Sequence, residues 1–543
     1  MAKKTRRDAS RRQRPADETS SRLQPVPVNP LEAGDEPVSA TPWRPTAWTW
    51  IAVAVVVAAT CLRFWDLGGK SLWFDEALSI ADSRSFQSGF GSGFHPPVFY
   101  YLLHAWLPFA ESSDALVRLI AAVPGSLTVA LVYVAGWRLF NERAGVLSAA
   151  VLALASLHVE YSQEVRMYAL TALFVTVATV VLAELLRRWP LASTGAKWGL
   201  AVAYTAAAYL AIATHYLAVL PIAGQALALV ICWRETREIV IRLAALQIPA
   251  VIGLATAVFA LGYGRRIGVA TDFLVNMGGV NQTIFSEPAA RILAFPRDFF
   301  FQVLPGPSLK WLVIAWYRIP AVIGFDIVAA GAVYALSRAS TSTRPNRWIV
   351  LLSALLPLPV LILMVGAEQL RFYISCAPMI ALLVGAGLEA MPNKWLTALG
   401  LIIVLVPSSL ASWWYFDPGM DKQPWRRVGT LVSEQCRDGD TILVNESHQT
   451  IAFKRYFIAK EGVDLEPYPE VGGVRITVDN MNKWFLPLVR TSRRVWFVRM
   501  AATASTSDPQ GLGLSWLNEN MKLQSRIKEP GYNGDVEVYL FER

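Results

Sequence analysis

Apolar and polar positions fall in long blocks along most of this chain. From about residue 47 to 413, charge-free runs recur between short polar segments. A run of roughly 20 residues, rising 1.5 Å per residue, matches a hydrocarbon core ~30 Å thick. The pattern predicts membrane-spanning helices at 47–64, 116–138, 144–160, 167–187, 197–213, 216–233, 241–261, 319–337, 348–366, 372–390 and 395–413, about 11 in all. The intervening stretch 262–318 is different. Its pieces ILAFPRDFFFQVLPG and WLVIAWY are apolar but short and broken by proline, which predicts interfacial or re-entrant helices.

Beyond residue 413 charges and turn residues become frequent. Short β-branched and aromatic runs predict strands at 441–444, near 474–478, at 494–499 and at 535–541. Helical periodicity predicts helices at 424–436, 448–459 and 513–525. Alternating helices and strands over 414–543 indicate a small α/β domain. No Gly-rich phosphate fingerprint follows any of these strands. Residues 1–44, with the clusters KKTRR and RRQR and then a Pro/Glu/Ser-rich segment, cannot bury a core and are expected to be disordered. The expected domains are therefore a 1–44 tail, a 45–413 membrane domain with its first large loop at 65–115, and a 414–543 α/β domain.

Composition sharpens this reading. The chain is 54% hydrophobic with a mean hydropathy of +0.38 and a net charge of +9. The basic residues sit in short loops between spans, so they report membrane orientation and not nucleic-acid binding. With the N-terminus on the cytoplasmic side, the segments 138–143, 187–197, 234–242, 338–347 and the loop ending at Lys394 are all internal, and each carries Lys or Arg. The opposite topology would place every one of them outside, against the positive-inside bias. The α/β domain is then extracytoplasmic. Four cysteines without a CxxC pair suggest neither a zinc site nor a disulfide framework.

The same orientation gathers the acids and histidines on the outer face. Asp75-Glu76 stand between Trp73-Phe74 and Ala77-Leu78. His95 precedes Pro96-Pro97, and Glu160, Tyr161, Glu164, Arg166 and Tyr168 lie between two spans. Thr214-His215-Tyr216 is a short turn, and Glu368 and Arg371 sit on another. Each has a plain alternative. A carboxylate pair can stabilise a helix start through the dipole, prolines after a histidine can open a helix, Tyr and Arg are common at membrane interfaces, and Arg371 can snorkel to headgroups. The chemical readings are a general base held within ~3 Å of the proton it takes for Asp75, and a forked donor for a phosphate at Arg166 or Arg371. Glu160 and Glu164 are costly near a bilayer unless they face water or a partner. His95 is open between proton carrier, metal ligand and phosphate partner, and a single histidine does not define a metal site.

The segments WFDEALS, HPPVFYYLLHAW, RLIAAVPGSLTVALVYVAGWRLF, EYSQEVRMYAL and AEQLRFYISCAPMIALLVGAGL resemble, in that order, the bacterial protein-mannosyltransferase-like membrane glycosyltransferases. That family is similar in turn to the aminoarabinose lipid A transferases. The resemblance covers roughly residues 47–413. It implies a GT-C membrane fold in a bacterial inner (plasma) membrane and a sugar donor carried on a polyprenyl phosphate. It also implies inverting transfer to a hydroxyl acceptor (protein, lipid or envelope glycan) on the external face. By match of motif, Asp75 would be the base with Glu76 beside it, and Glu164 the second catalytic acid. Arg166, Arg371, His95, Tyr161 and Tyr168 would form the substrate- and phosphate-binding set. No cofactor is implied, although some related transferases bind a divalent metal. Two other classes remain open. A lipid-linked sugar flippase would also have many spans, but no inverted repeat is visible. A scaffold presenting the α/β domain would leave the clustered outer acids unexplained.

Overall fold

The computed structural model describes residues 45–84, 95–260, 315–338, 343–365, 370–417, 419, 421–468, 476–490, 492–500 and 508–543. The expected tail at 1–44, most of the 262–318 stretch, the 366–369 turn with Glu368, and the first two residues of the strand expected near 474–478 lie outside them. Where they fall on described residues, the predicted spans are helical. The elements are α1 (Ala47–Phe64), α2 (Phe74–Arg84), α3 (Val98–Ala110), α4 (Asp114–Leu139), α5 (Glu142–Leu154), α6 (Ser156–Tyr161), α7 (Tyr168–Arg188), α8 (Thr194–Thr214), α9 (Val219–Ile231), α10 (Trp233–Ala260), α11 (Ala315–Arg338), α12 (Arg344–Leu355), α13 (Pro357–Val365), α14 (Ala377–Glu389) and α15 (Lys394–Tyr415). Among the described residues, α1, α4, α7, α8 and α15 are long and apolar enough to cross a membrane.

Other expected spans are divided or shortened, for identifiable reasons. The 144–160 run breaks at Ala155, whose ψ of 105° is extended. The break takes His158 and Glu160 off the α5 axis, where a continuous helix would carry them into hydrocarbon. It also frees the last carbonyls of α5. Arg63, buried at the end of α1, donates to the carbonyls of Leu152 and Ala153 at 3.1 Å each, and to Ala59 at 3.0 Å. A basic side chain satisfying the C-terminal carbonyls of a neighbouring helix explains a buried arginine that meets no carboxylate among the described residues. The 348–366 run divides before Pro357, which cannot continue the helical hydrogen-bond ladder.

Caps and polar ties set the two ends of the bundle. Ser113 caps α4, Asn141 caps α5 and Ser193 caps α8 through their side chains. At one end Thr46 and Thr49 donate to Glu142 (2.6 and 2.5 Å), Asn346 donates to the Leu139 carbonyl (2.6 Å), Arg138 pairs with Glu184, and Arg344 pairs with Glu235. The basic loops therefore share that end. At the other end α2, the 155–167 turn and a 3₁₀ turn at Leu370–Ser375 come together. Close helix approach depends on glycine. A Cβ at Gly385 would strike the Ser148 backbone, and one at Gly125 the Ser162 hydroxyl. Gly125 thus makes room for the turn that carries Glu164 and Arg166.

The C-terminal region contains α16 (Trp425–Gln435), β1 (Thr441–Asn445), α17 (Thr450–Tyr456), β2 (Asp464–Tyr468), α18 (Val478–Trp484), α19 (Leu486–Val489), β3 (Arg494–Met500), α20 (Leu512–Asn520), β4 (Lys522–Glu529) and β5 (Val536–Glu542). The sheet order is β2-β1-β3-β5-β4, with β2, β1 and β3 parallel and β5 antiparallel to both β3 and β4. The period of two sends Ile442, Val444, Trp496 and Val498 to one face, with Trp425 and Val428. It sends Leu443, Val495 and Phe497 to the other, with Phe485 and Leu517. The strand expected near 474–478 is corrected at its C-terminal end. Thr477 and Asn480 form a capping box that starts a helix at Val478.

The α/β domain is fastened to the first loop. Ala77 of α2 belongs to the same apolar cluster as Trp425, Val428 and Trp496. Arg426 donates to the carbonyls of Gly69 and Gly68 at 2.8 Å each and to Asp114 at 2.7 Å. The Tyr456 hydroxyl accepts from Leu72 N at 2.7 Å.

Candidate functional site

Asp75 and Glu76 occupy the first turn of α2, and the structure gives them different company. Glu76 is closed in. Arg118 Nε and Nη2 reach its two oxygens at 3.0 and 2.9 Å, Val165 N donates to Oε1 at 2.9 Å, and Trp73 N to Oε2 at 3.2 Å. The other Arg118 donors take the carbonyls of Leu67, Lys70 and Ser71. The side chain of Glu76 is 1% exposed. A carboxylate with four donors, buried against a bidentate arginine, joins α2, α4 and the 162–167 turn.

Asp75 points the other way, and its side chain is 18% exposed. Its Oδ2 lies 3.1 Å from Arg371 Nη1 and 3.8 Å from Arg166 Nη2. Arg166 is itself anchored, with Nη1 on the Asp75 carbonyl (3.2 Å) and on Ser79 Oγ (2.9 Å), and Nη2 3.3 Å from His95 Nε2. The Nε of Arg166 and that of Arg371 are buried with no hydrogen-bond partner among the described residues.

Rings wall this cluster. His95 stacks with Tyr100 at 6.4 Å and faces His215 at 6.3 Å. His215 lies 5.7 Å from Tyr168 and 5.8 Å from Phe372, and Tyr168 meets Tyr161 edge-on at 4.9 Å. Burial, reinforced by the Arg166 charge, holds His95 well below the usual imidazole range and His215 down to about 3. Both rings are neutral at physiological pH, so the charges here are two guanidiniums and one carboxylate.

Glu164 stands apart. It and Glu160 share Lys422, which reaches Glu160 Oε1 at 2.8 Å and also bonds Glu164 Oε1. Tyr532 donates to Glu160 Oε1 at 3.0 Å. The ammonium lies over the rings of Trp73 (4.7 Å) and Tyr161 (5.0 Å). Burial opposes its charge, but Glu160 and Glu164 outweigh burial and raise its pKa. Burial also pushes the Glu164 carboxyl up to about 7, with Glu160 and Glu76 adding to the rise against Lys422, and its Oε2 has no partner among the described residues. Tyr161 belongs to both groups, beneath the ammonium at 5.0 Å and edge-on to Tyr168 at 4.9 Å.

Five expected site residues thus converge: Asp75, Arg166, Arg371, His95 and Tyr168. Tyr161 forms the shared wall, and Glu76 and Glu164 each have a partner of their own. Two residues were missed, Arg118 and Lys422. The signal for Arg118 was present, because an arginine inside a predicted span demands a partner. Lys422 is some 260 residues from its acids, and no local pattern marks it. Among the described residues no three His, Cys, Asp or Glu side chains come together as a metal-binding group.

Residues 94–261 match the family model described as dolichyl-phosphate-mannose-protein mannosyltransferase. No curated protein matches the sequence. In fold, the chain is similar to ArnT from Cupriavidus metallidurans bound to undecaprenyl phosphate, at 14% identity and a TM-score of 0.52, over 91% of this chain and 98% of that one. It is also similar to the Archaeoglobus fulgidus oligosaccharyltransferase tethered with an acceptor peptide, at 15% identity and a TM-score of 0.51, over 84% of this chain and 69% of that one. At such identities the likeness is one of fold. The fold and the matched region agree with the resemblance carried by the motifs. This is a multi-pass membrane protein of the GT-C glycosyltransferase architecture, with a small C-terminal α/β domain.

Proposed function

We propose that the protein transfers a sugar from a polyprenyl-phosphate donor to an acceptor hydroxyl, by a single displacement that inverts the anomeric centre. The supporting observation is the convergence of Arg166 and Arg371, from two separate motifs, on the partly exposed carboxylate of Asp75. The basic loops lie at the opposite end of the bundle, and under the positive-inside bias this supports an external face for the site.

The charges fit the reaction at both ends. A sugar phosphate diester carries one negative charge, and Asp75 a second, against two guanidiniums. As the acceptor oxygen bonds to the anomeric carbon, its proton passes to Asp75, and the bond to the phosphate oxygen breaks. The polyprenyl phosphate then carries two charges and Asp75 none. Neutrality is kept while one negative charge moves from the base to the leaving group. Fixed guanidinium donors stabilise that charge where it develops. A phosphate leaving group needs no strong acid, so a second reacting carboxylate is not required. Glu76 and Glu164 hold structure instead.

The test is purified protein in lipid with a polyprenyl-phosphate-linked sugar. Release of polyprenyl phosphate that is abolished in Asp75→Asn supports the reading. Undiminished release in that variant removes Asp75 as base, and movement of the intact donor across the membrane without cleavage would identify a flippase.

A further inference from the structure

The 421–423 strap of the α/β domain grips both flanks of the site with three consecutive residues. Asp421 accepts from Ser71 N at 3.1 Å and Ser71 Oγ at 3.3 Å. Gln423 Oε1 accepts from Phe74 N at 2.9 Å, one of the free N–H groups at the start of α2, and is fixed by Trp425 Nε1 at 2.8 Å. Between them Lys422 crosses to the other flank, lying over Trp73 and binding Glu160 and Glu164. Phe74 precedes Asp75, and Glu164 stands two residues before Arg166. The strap therefore spans the two segments that supply the base and one of its guanidiniums.

From this arrangement we propose that Lys422 is a positioning residue for the Asp75–Arg166 pair, coupling the docked α/β domain to the reaction. The inference rests on the proposed role of Asp75. Glu160 and Glu164 are both almost fully buried, and Lys422 is the cation bonded to them both, with Lys70 acting on Glu160 from farther off and Glu76, Tyr161, Tyr415 and Tyr532 the other titratable groups that face the two acids. Without Lys422 the acids repel in a medium where charges are weakly screened, and relief comes by protonation or by movement of the 160–166 turn. That movement carries Arg166 away from Asp75, and misplacement by about 1 Å can cost on the order of 10²-fold in rate. Replacing the ammonium and one carboxylate together restores the original charge balance.

Four variants in the full-length protein test this: Lys422→Met, Lys422→Arg, Lys422→Met/Glu160→Gln and Asp75→Asn. In Lys422→Met, kcat is expected to drop about 10²-fold with donor KM little changed, and to recover as pH is lowered and the acids take up a proton. Lys422→Arg and the double variant are expected to regain most of the rate. Hydrogen exchange should rise in peptides covering 71–76 and 158–167 in Lys422→Met and return to wild-type levels in the double variant, a readout independent of turnover. Wild-type kcat and exchange in Lys422→Met would overturn the proposal. A loss with no acid shift and no rescue would also overturn it, reducing Lys422 to a structural tie. Full turnover in Asp75→Asn would instead defeat the reading of the site, leaving the exchange results to judge the strap.

Discussion

The pocket round Asp75 and the clamp round Glu76 are built from neighbouring residues of the same helical turn. In the clamp every oxygen is spoken for, and the partner arginine spends its remaining donors on backbone carbonyls. In the pocket, one carboxylate oxygen faces two arginines, each with an Nε that has no partner among the described residues, and the side chain keeps some exposure. Burial and saturation mark a group that holds a fold. Incomplete pairing and access mark one that can take up a ligand or a proton. Proximity in sequence says nothing about which is which.

That distinction can be broken at several points. The largest effect expected is from Asp75→Asn, which should lower kcat by roughly 10²–10⁴-fold, the usual worth of a general base, with an unchanged melting temperature. Steady-state turnover and a thermal melt check it together, and a large loss of stability would erase the contrast with Glu76. Glu76→Gln should do the reverse. It leaves a buried Arg118 without its counter-charge, at a cost of about 3–5 kcal/mol, read as a lowered melting temperature. A Glu76→Gln protein of normal stability that fails to turn over would return Glu76 to the chemistry.

Smaller effects sharpen the comparison. Arg371→Ala should raise the donor KM by roughly tenfold to a hundredfold, the worth of a charged hydrogen bond of about 1.5–3 kcal/mol, and leave the melt nearly unchanged. The smallest effect is a pH slope. Glu164 titrates near 4.5 unfolded and at about 7 in the folded protein, so the fold holds the extra proton in that window. Its contribution to stability is complete below about 4.5 and is lost as pH rises through about 7. Melting temperature against pH should show that decline in wild type and lose it in Glu164→Gln.

Much of the helical framework was legible because apolar runs of bilayer length have few other meanings. The break at Ala155 was not, since nothing in SAAVLALASLHVEY interrupts helix propensity. It is the polar load of His158 and Glu160, and the carbonyls taken by Arg63, that stabilise it. The outer strands β2 and β4 escaped for a different reason. Edge strands tolerate Pro467 and the charged KLQSRIKE run because, among the described residues, one side of each makes no ladder, and such residues discourage pairing with another chain. In the site, motifs pointed to Asp75, Arg166 and Arg371. Under the proposed reaction, which carboxylate reacts and which holds depends on Arg118 and Lys422, and the second is placed by tertiary contacts that no window of sequence contains.

The fastening of α2 to the α/β domain has a bearing on how the protein is made. Ser71 waits for Asp421 and Leu72 for Tyr456, partners 350 and 384 residues further along. Ala77 finds its apolar neighbours only when α16 and the sheet exist. During synthesis the first loop emerges early, but the turn bearing Asp75 lacks its braces until the last quarter of the chain has been made and folded. Contacts of such long sequence separation form slowly. Under the proposed reaction, a chain assembled in this order holds Asp75 out of register until the molecule is complete, so a half-made chain carries no finished site.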